Sequence, residues 1–334
     1  MSEPLLSLRG VRKEYTGHFG RSKVVAVDDV SLDIRPGETL GLVGESGCGK
    51  TTLTRVILRL VEASGGEIWF DGRELLGLGR RELLAVRENM QVVLQDPYAS
   101  LNPRMRVGEI VAEPLVTHGR VGRGRAGRAE ARERVAGLLE AVGLEAGGQD
   151  RYPYEFSGGQ RQRIGIARAL ALEPKLVICD EPVSALDVSI QAQIINLMKR
   201  LQAERGLTYL FVSHDLSIMR QIADRVAVMN LGRIVELAET EELFTAPRHP
   251  YTHSLLSAAP IADPKVERTR QRIVLRGDPP SPADPPSGCS FRTRCPVARE
   301  ECADTRPPLA VQGSTGHVAA CFFPVRDASD LLRA

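Results

Sequence analysis

The chain opens with alternating apolar and polar positions. Residues 5–36 read as paired strands, LLSLRGVRKEY and then VVAVDDVSLDI, closed by a Pro36-Gly37 turn. The pattern then changes. Thr39-Leu40-Gly41-Leu42-Val43 is a short, almost wholly apolar run of the kind a strand buried on both faces shows. Two more such runs follow far downstream, Leu176-Val177-Ile178-Cys179 and Thr208-Tyr209-Leu210-Phe211-Val212, and each ends in polar residues. Helix-competent stretches separate them: TLTRVIL after residue 51, a charged run over 74–88, short helical patterns joined by Gly- and Arg-rich loops over 104–152, RQRIGIARALAL from Ser157, and a longer helix that stops near Gly206. Short strands are expected at GEIWF and at Met90 to Leu94, and a hairpin around Asn230-Leu231. Strands alternating with helices predict an α/β fold on a parallel sheet, with an antiparallel β subdomain at the start.

Beyond about residue 240 the patterning thins. Residues 277–288 (GDPPSPADPPSG) contain five prolines and predict no regular element. We therefore read 241–334 as an accessory tail.

Bulk composition narrows the class. The chain has 334 residues, 43% hydrophobic and 26% charged, which is ordinary for a globular protein of one large domain and a smaller one. A net charge of +2 gives no case for nucleic-acid binding. The six arginines between Arg120 and Arg134 are interleaved with Glu130 and Glu133, which favours a solvated helix face over an anion patch. No run approaches the ~18 apolar residues of a membrane span, and MSEPLLSLRG lacks the features of a secretory signal. A cytosolic protein that meets the membrane through a partner is expected. Four of the six cysteines, Cys289, Cys295, Cys302 and Cys321, fall close to the end. In a reducing compartment such a cluster suggests metal or cluster ligation rather than disulfides.

The candidate chemistry centres on Gly44-Glu45-Ser46-Gly47-Cys48-Gly49-Lys50-Thr51, which fits G-x-x-x-x-G-K-[ST] with a strand before it and a helix, starting at Thr52, after it. Glycines let the backbone curl so that several N–H groups face one anion, and the helix N-terminus adds its positive end. Lys50 is expected to reach the β- and γ-phosphates and Thr51 to bind Mg²⁺. Cys48, beside the helix N-terminus, is expected to favour the thiolate, so that alkylation blocks activity and nucleotide protects. Asp180 ends an apolar strand and can hold Mg²⁺ through water, Glu181 can deprotonate the attacking water, and His214, at the end of the next strand, can contact the γ-phosphate. From its position alone Tyr15 reads as an edge-strand tyrosine rather than a base-stacking one.

Together these pieces resemble the ATPase subunit of an ATP-binding-cassette transporter, over residues 5 to about 240. The matching residues are GESGCGKT (44–51), Gln95 in the Q-loop place, SGGQR (157–161) in the signature place, LVICDE (176–181), SALD (184–187) in the D-loop place, and His214 as the switch histidine. Phe156 stands where leucine is usual before the signature. The resemblance implies a phosphate-loop NTPase core over 1–240 with a helical subdomain at about 96–165. It turns Tyr15 into the adenine-stacking residue and puts Gln95 beside Thr51 and Asp180 on Mg²⁺. It also makes Ser157, Gly158, Gly159, Gln160 and Asp187 nucleotide-site residues, the signature ones serving a second cassette paired head to tail.

A narrower resemblance rests on QDPYASLNPR (95–104), RHPYTHSLLSAAP (248–260) and GDPPSP…GCSFRTRCP. These look like the ATPases of oligopeptide, dipeptide and nickel importers. That subfamily implies two membrane permeases, an extracytoplasmic binding protein, a peripheral place on the cytoplasmic face, and a paralogous rather than identical partner cassette. It also implies a [4Fe–4S] cluster on the four cysteines, with zinc or simply buried thiols as alternatives. Their spacing, C-x5-C-x6-C-x18-C, departs from compact zinc and ferredoxin motifs. Nickel or another small solute as cargo, and a soluble cassette protein outside transport, are the competing readings.

Overall fold

The computed structural model describes residues 3–16, 23–96, 98–122, 124–259, 273, 275, 277–312, 316–325 and 331. Met1 and Ser2, Pro97, Arg123 and Pro260, which belong to stretches named above, lie outside the described residues.

In chain order the elements begin β1 (Leu6–Thr16), β2 (Lys23–Ile34), β3 (Thr39–Val43), α1 (Lys50–Ile57), β4 (Gly65–Phe70) and β5 (Arg73–Glu74). Next come α2 (Arg80–Asn89), β6 (Met90–Val93), α3 (Val107–Thr117), α4 (Arg125–Ala141), α5 (Gly158–Leu170), β7 (Leu176–Asp180), α6 (Val188–Arg205) and β8 (Thr208–Ser213). The last third holds α7 (Leu216–Ile222), β9 (Arg225–Asn230), β10 (Arg233–Glu239), α8 (Thr240–Thr245), α9 (Pro250–Ala258), β11 (Ala310–Val311) and β12 (Val318–Ala319). These fold as two compact units, one of Met1–Arg35, Thr39–Gly77 and Ser213–Ala334, the other of Pro36–Glu38 and Leu78–Val212.

In the first unit the alternating N-terminal strands form an antiparallel sheet ordered β2-β1-β4-β5. Leu6, Leu8, Val11, Ile34, Ile68 and Phe70 on its strands are buried, as the period-2 pattern requires. The buried strand β3 runs parallel to β9, and β9 continues antiparallel into β10. The expected hairpin thus forms, turning at Leu231 and Gly232, both at positive φ. The thin patterning beyond residue 240 hides more order than it suggests. β12 pairs antiparallel with β10 (Glu236 opposite Ala319) and β11 pairs with β12. Two-residue strands carry no readable period; their partners lie far away in sequence.

In the second unit β6, β7 and β8 are parallel neighbours, with Val92, Ile178 and Leu210 in register. Every residue of β7 and β8 is buried. Helix α4 buries Ala131, Val135, Leu138 and Leu139, while Arg125, Arg128, Arg132 and Arg134 face solvent. The Arg132–Asp150 and Arg134–Glu130 pairs spend two of those charges on neighbouring carboxylates, so this is the solvated face expected. The charged run at 74–88 starts its helix later than expected. Glu74 accepts the backbone N–H groups of Leu76 and Gly77, which closes a turn there, and α2 begins only after Gly79.

Candidate functional site

The first unit carries the phosphate loop. It joins β3 to α1 with no residue to spare. A Cβ on Gly44 would stand 2.2 Å from the Met229 carbonyl oxygen; one on Gly49, whose φ is +110°, would stand 2.2 Å from that of Ala26. Only glycine fits either place. The loop closes with Cys48 N–H donating to the Glu45 carbonyl (3.3 Å), and α1 starts with Leu53 N–H donating to the Gly49 carbonyl (2.9 Å). Lys50 is buried, its ammonium donating to the carbonyls of Gly44 (2.7 Å) and Glu45 (3.0 Å). Ser46, Gly47 and Thr51 are exposed, with Gly49 and Thr52 half-buried. The same unit holds Tyr15 at the end of β1, 39% exposed with the Lys13 ammonium 4.9 Å from its ring centroid, and the exposed His214 just after β8.

Cys48 corrects one expectation. It is 5% exposed, and burial, only partly offset by Lys50, pushes its thiol above the ordinary value. The helix N-terminus does not overcome desolvation, so the thiol stays protonated near pH 7.

The second unit carries the acids. Asp180 ends β7, buried; Glu181 follows, half-buried and at φ +49°, a region that non-glycine residues seldom occupy. Its N–H donates to the Val212 carbonyl (3.0 Å), which fixes that backbone. The Gln95 amide donates to Glu181 Oε2 at 2.8 Å, so the Q-loop residue and the glutamate, 86 positions apart, meet. Ser157 caps α5: its Oγ accepts Gln160 N–H (3.3 Å) while the Gln160 side chain accepts Ser157 N–H (2.9 Å). A Cβ on Gly159 would stand 2.6 Å from Ile190 Cγ2. Gly158 and Gly159 thus sit in the first turn of a capped helix. Asp187, exposed, precedes α6.

Three contacts converge on the phosphate loop that sequence reasoning missed. The Tyr251 hydroxyl accepts the N–H of Glu45 (2.9 Å), and the Arg294 guanidinium forms a fork with the Glu45 carboxylate, both bonds 2.7 Å. Tyr251 lies inside RHPYTHSLLSAAP, so one signal was present; for Arg294, 249 positions from Glu45, no local pattern exists.

Cys289, Cys295, Cys302 and Cys321 do line one small pocket with Phe291, Phe322 and Phe323. The iron–sulfur expectation, with zinc as its alternative, is nonetheless corrected. Among the described residues no group of three or more His, Cys, Asp or Glu side chains is placed to hold a metal ion. Burial raises the thiols of Cys289, Cys295 (to about 12) and Cys321 (to about 11). The cysteines are free and partly or wholly buried.

With this geometry in view, the comparisons with known proteins decide the family. A family model described as ABC transporter matches residues 27–184, and one described as oligopeptide/dipeptide transporter, C-terminal region, matches residues 235–302. The chain is 56% identical over 297 residues to the oligopeptide transport ATP-binding protein OppF of Escherichia coli, covering 89% of this chain and 87% of that one. The chain belongs to the ABC transporter family. As an ABC ATPase it is also 51% identical to the putative oligopeptide transport ATP-binding protein YkfD of Bacillus subtilis, over 96% of this chain and 95% of that one. Among solved structures, the dimeric post-hydrolysis state of the ATP-binding cassette MJ0796 bound to ADP and Pi has a TM-score of 0.62 at 31% identity, covering 70% of this chain and 98% of that one. CbiO1 from Clostridium perfringens, part of the transporter complex cbiONQ, gives 0.63 at 29% identity, covering 73% and 91%. This ABC ATPase binds and hydrolyses ATP in the service of transport. Among the described residues no helix is long and apolar enough to cross a membrane.

Proposed function

We propose that this ABC ATPase powers import of di- and oligopeptides through partner permease subunits, working at the cytoplasmic face of the membrane. The observation that carries this reading is the 56% identity to an oligopeptide transport ATP-binding protein over most of both chains, together with the oligopeptide/dipeptide C-terminal region. Residues 1–240 would form the nucleotide-binding domain, with a helical subdomain at about 96–165, and 241–334 the accessory domain.

The roles follow from chemistry. The curled backbone of Gly44–Thr51 presents N–H groups to the phosphates, and Lys50 leaves the loop carbonyls to neutralise them. Tyr15, exposed at a strand end, offers a face for adenine stacking. Thr51 in the first unit, and Gln95 and Asp180 in the second, each carry a hard oxygen donor of the kind Mg²⁺ takes beside phosphates and waters. That ion, when bound, offsets charge developing on the transferred phosphoryl group. Glu181 takes the proton of the attacking water; its bond from Gln95 holds the carboxylate in place before nucleotide arrives. His214 senses the γ-phosphate. The capped α5 aims its N-terminus, with Ser157, Gly158, Gly159 and Gln160, at the γ-phosphate held by a second cassette, and Asp187 lies at the same seam. ATP thus favours the paired state and hydrolysis releases it. The second cassette is a paralogue, the permeases are two, and an extracytoplasmic binding protein delivers the peptide. Peptide-stimulated phosphate release by the chain reconstituted with its permeases tests this; release indifferent to peptide would overturn it.

A further inference from the structure

Besides the Gly232 N–H that donates to the Cys48 carbonyl (2.8 Å), the phosphate loop is tied at Glu45, which uses all three of its polar parts. Its carbonyl accepts Cys48 N–H and the Lys50 ammonium. Its N–H donates to the Tyr251 hydroxyl, and its carboxylate takes the Arg294 fork. Arg294 is 9% exposed, and its Nε is buried with no partner among the described residues. The guanidinium is therefore committed to Glu45. Its own position is fixed in turn. Arg294 N–H donates to the Phe291 carbonyl (3.0 Å), and the Phe291 ring, buried, packs against Tyr251 at 5.2 Å between centroids and against His249 at 5.9 Å. One residue before Phe291, the Ser290 hydroxyl donates to Asn230 Oδ1 (2.9 Å), and Asn230 ends β9 directly after the Met229 carbonyl that crowds Gly44.

This wiring bears on nucleotide binding. A carboxylate in a loop that must receive a polyphosphate repels it unless a cation stands against the carboxylate. A planar, bidentate guanidinium both neutralises the charge and fixes the direction of the group. We propose that Arg294 is a positioning residue for ATP: with Tyr251 it clamps Glu45, and through Glu45 it sets the curl of the phosphate loop and the seat of Lys50. Segment 289–294 of the accessory region is thereby part of the nucleotide site's support, and the affinity of the loop for ATP depends on it. The inference rests on residues 44–51 being the ATP site.

The test is equilibrium binding of Mg–ATP and steady-state ATPase kinetics on the full chain carrying R294A, R294K, and E45Q with R294A. R294A is expected to weaken ATP binding and raise KM by about tenfold while kcat changes by less than about twofold, because the effect falls on loop charge and geometry rather than on the water-activating acid. R294K, which keeps the charge but not the fork, should fall between it and the parent. E45Q added to R294A should recover the part of the lost affinity that comes from the unpaired carboxylate, while the part that comes from the lost clamp persists; a residue serving only stability would show no such recovery. Should R294A not fold, R294K alone and R294K with E45Q carry the same comparison. Parent-like affinity in R294A or R294K, or a loss that E45Q does not reverse in part, overturns the proposal. Failure of the parent chain itself to bind Mg–ATP would instead remove the ATP site on which it rests.

Discussion

At the scale of single residues, the local motifs were legible and the long-range supports were not. Gly44, Gly49 and Lys50 fall in one window whose spacing states its own chemistry, and the close carbonyls of Met229 and Ala26 explain why glycine is required. Arg294 and Glu45 meet across 249 positions, a relation no window contains. Glu181 is intermediate. Its place after an apolar strand was readable, but its φ of +49° and its bond from Gln95 were not. Two predictions belong here. E181Q should retain Mg–ATP binding while phosphate release falls about a hundredfold or more, the scale of a lost general base; parent-like release would remove Glu181 from that role. Cys48, protonated and buried, should resist alkylation at pH 7 and react only as pH rises or the chain unfolds. Rapid modification of the folded protein at pH 7, blocked by ATP, would restore the thiolate picture.

At the scale of elements, period and caps told most of the story. The fully buried β3, β7 and β8 were visible as apolar runs, and the S-G-G-Q start of α5 carries both halves of a capping box. S157A should lower stability by about 1 kcal/mol, read as a shifted denaturation midpoint at constant slope; an unshifted midpoint would mean that the cap contributes nothing. The tail strands were hidden because β12 exists only by pairing with β10 and β11. The pairing with β10 is reinforced by His317, fully buried, whose Nε2 lies 2.6 Å from Glu236 and whose Nδ1 lies 3.2 Å from Glu242. Burial works against a charged ring here, but the bond to Glu236, then Glu242, raises His317 above its ordinary 6.5. Burial likewise opposes the Glu236 anion, yet His317, Thr252 and the Arg248 N–H hold its carboxyl below 4.5. The signs are opposite at the two ends. The His317 contribution is complete below pH 6.5 and is lost as pH rises through its raised value; the Glu236 contribution is complete above pH 4.5 and is lost as pH falls through its lowered value. Thermal stability should therefore decline as pH rises from about 6.5, and H317Q should remove that slope. A slope equal in H317Q and parent would assign it elsewhere.

At the scale of the whole molecule, the order and spacing of the motifs made the family legible: a phosphate loop, a strand ending in acids and a third polar strand end supply the groups that phosphoryl transfer uses. The cysteines show where such reading fails. Four thiols near the chain end suggested a cluster, and they do line one pocket, but among the described residues no group of three or more ligating side chains is placed to hold a metal ion. Residue type and spacing do not report that geometry. The central claim is that ATP binding through Lys50 and turnover through Glu181 together drive peptide uptake. The most direct measurement is ATP-dependent peptide uptake and phosphate release in vesicles holding the chain with its permeases, its partner cassette and the binding protein, comparing parent, K50A and E181Q. The account predicts that both variants lose uptake and phosphate release, K50A together with Mg–ATP binding and E181Q without losing it. Uptake that persists in either variant, or that proceeds in the parent without ATP, would contradict it.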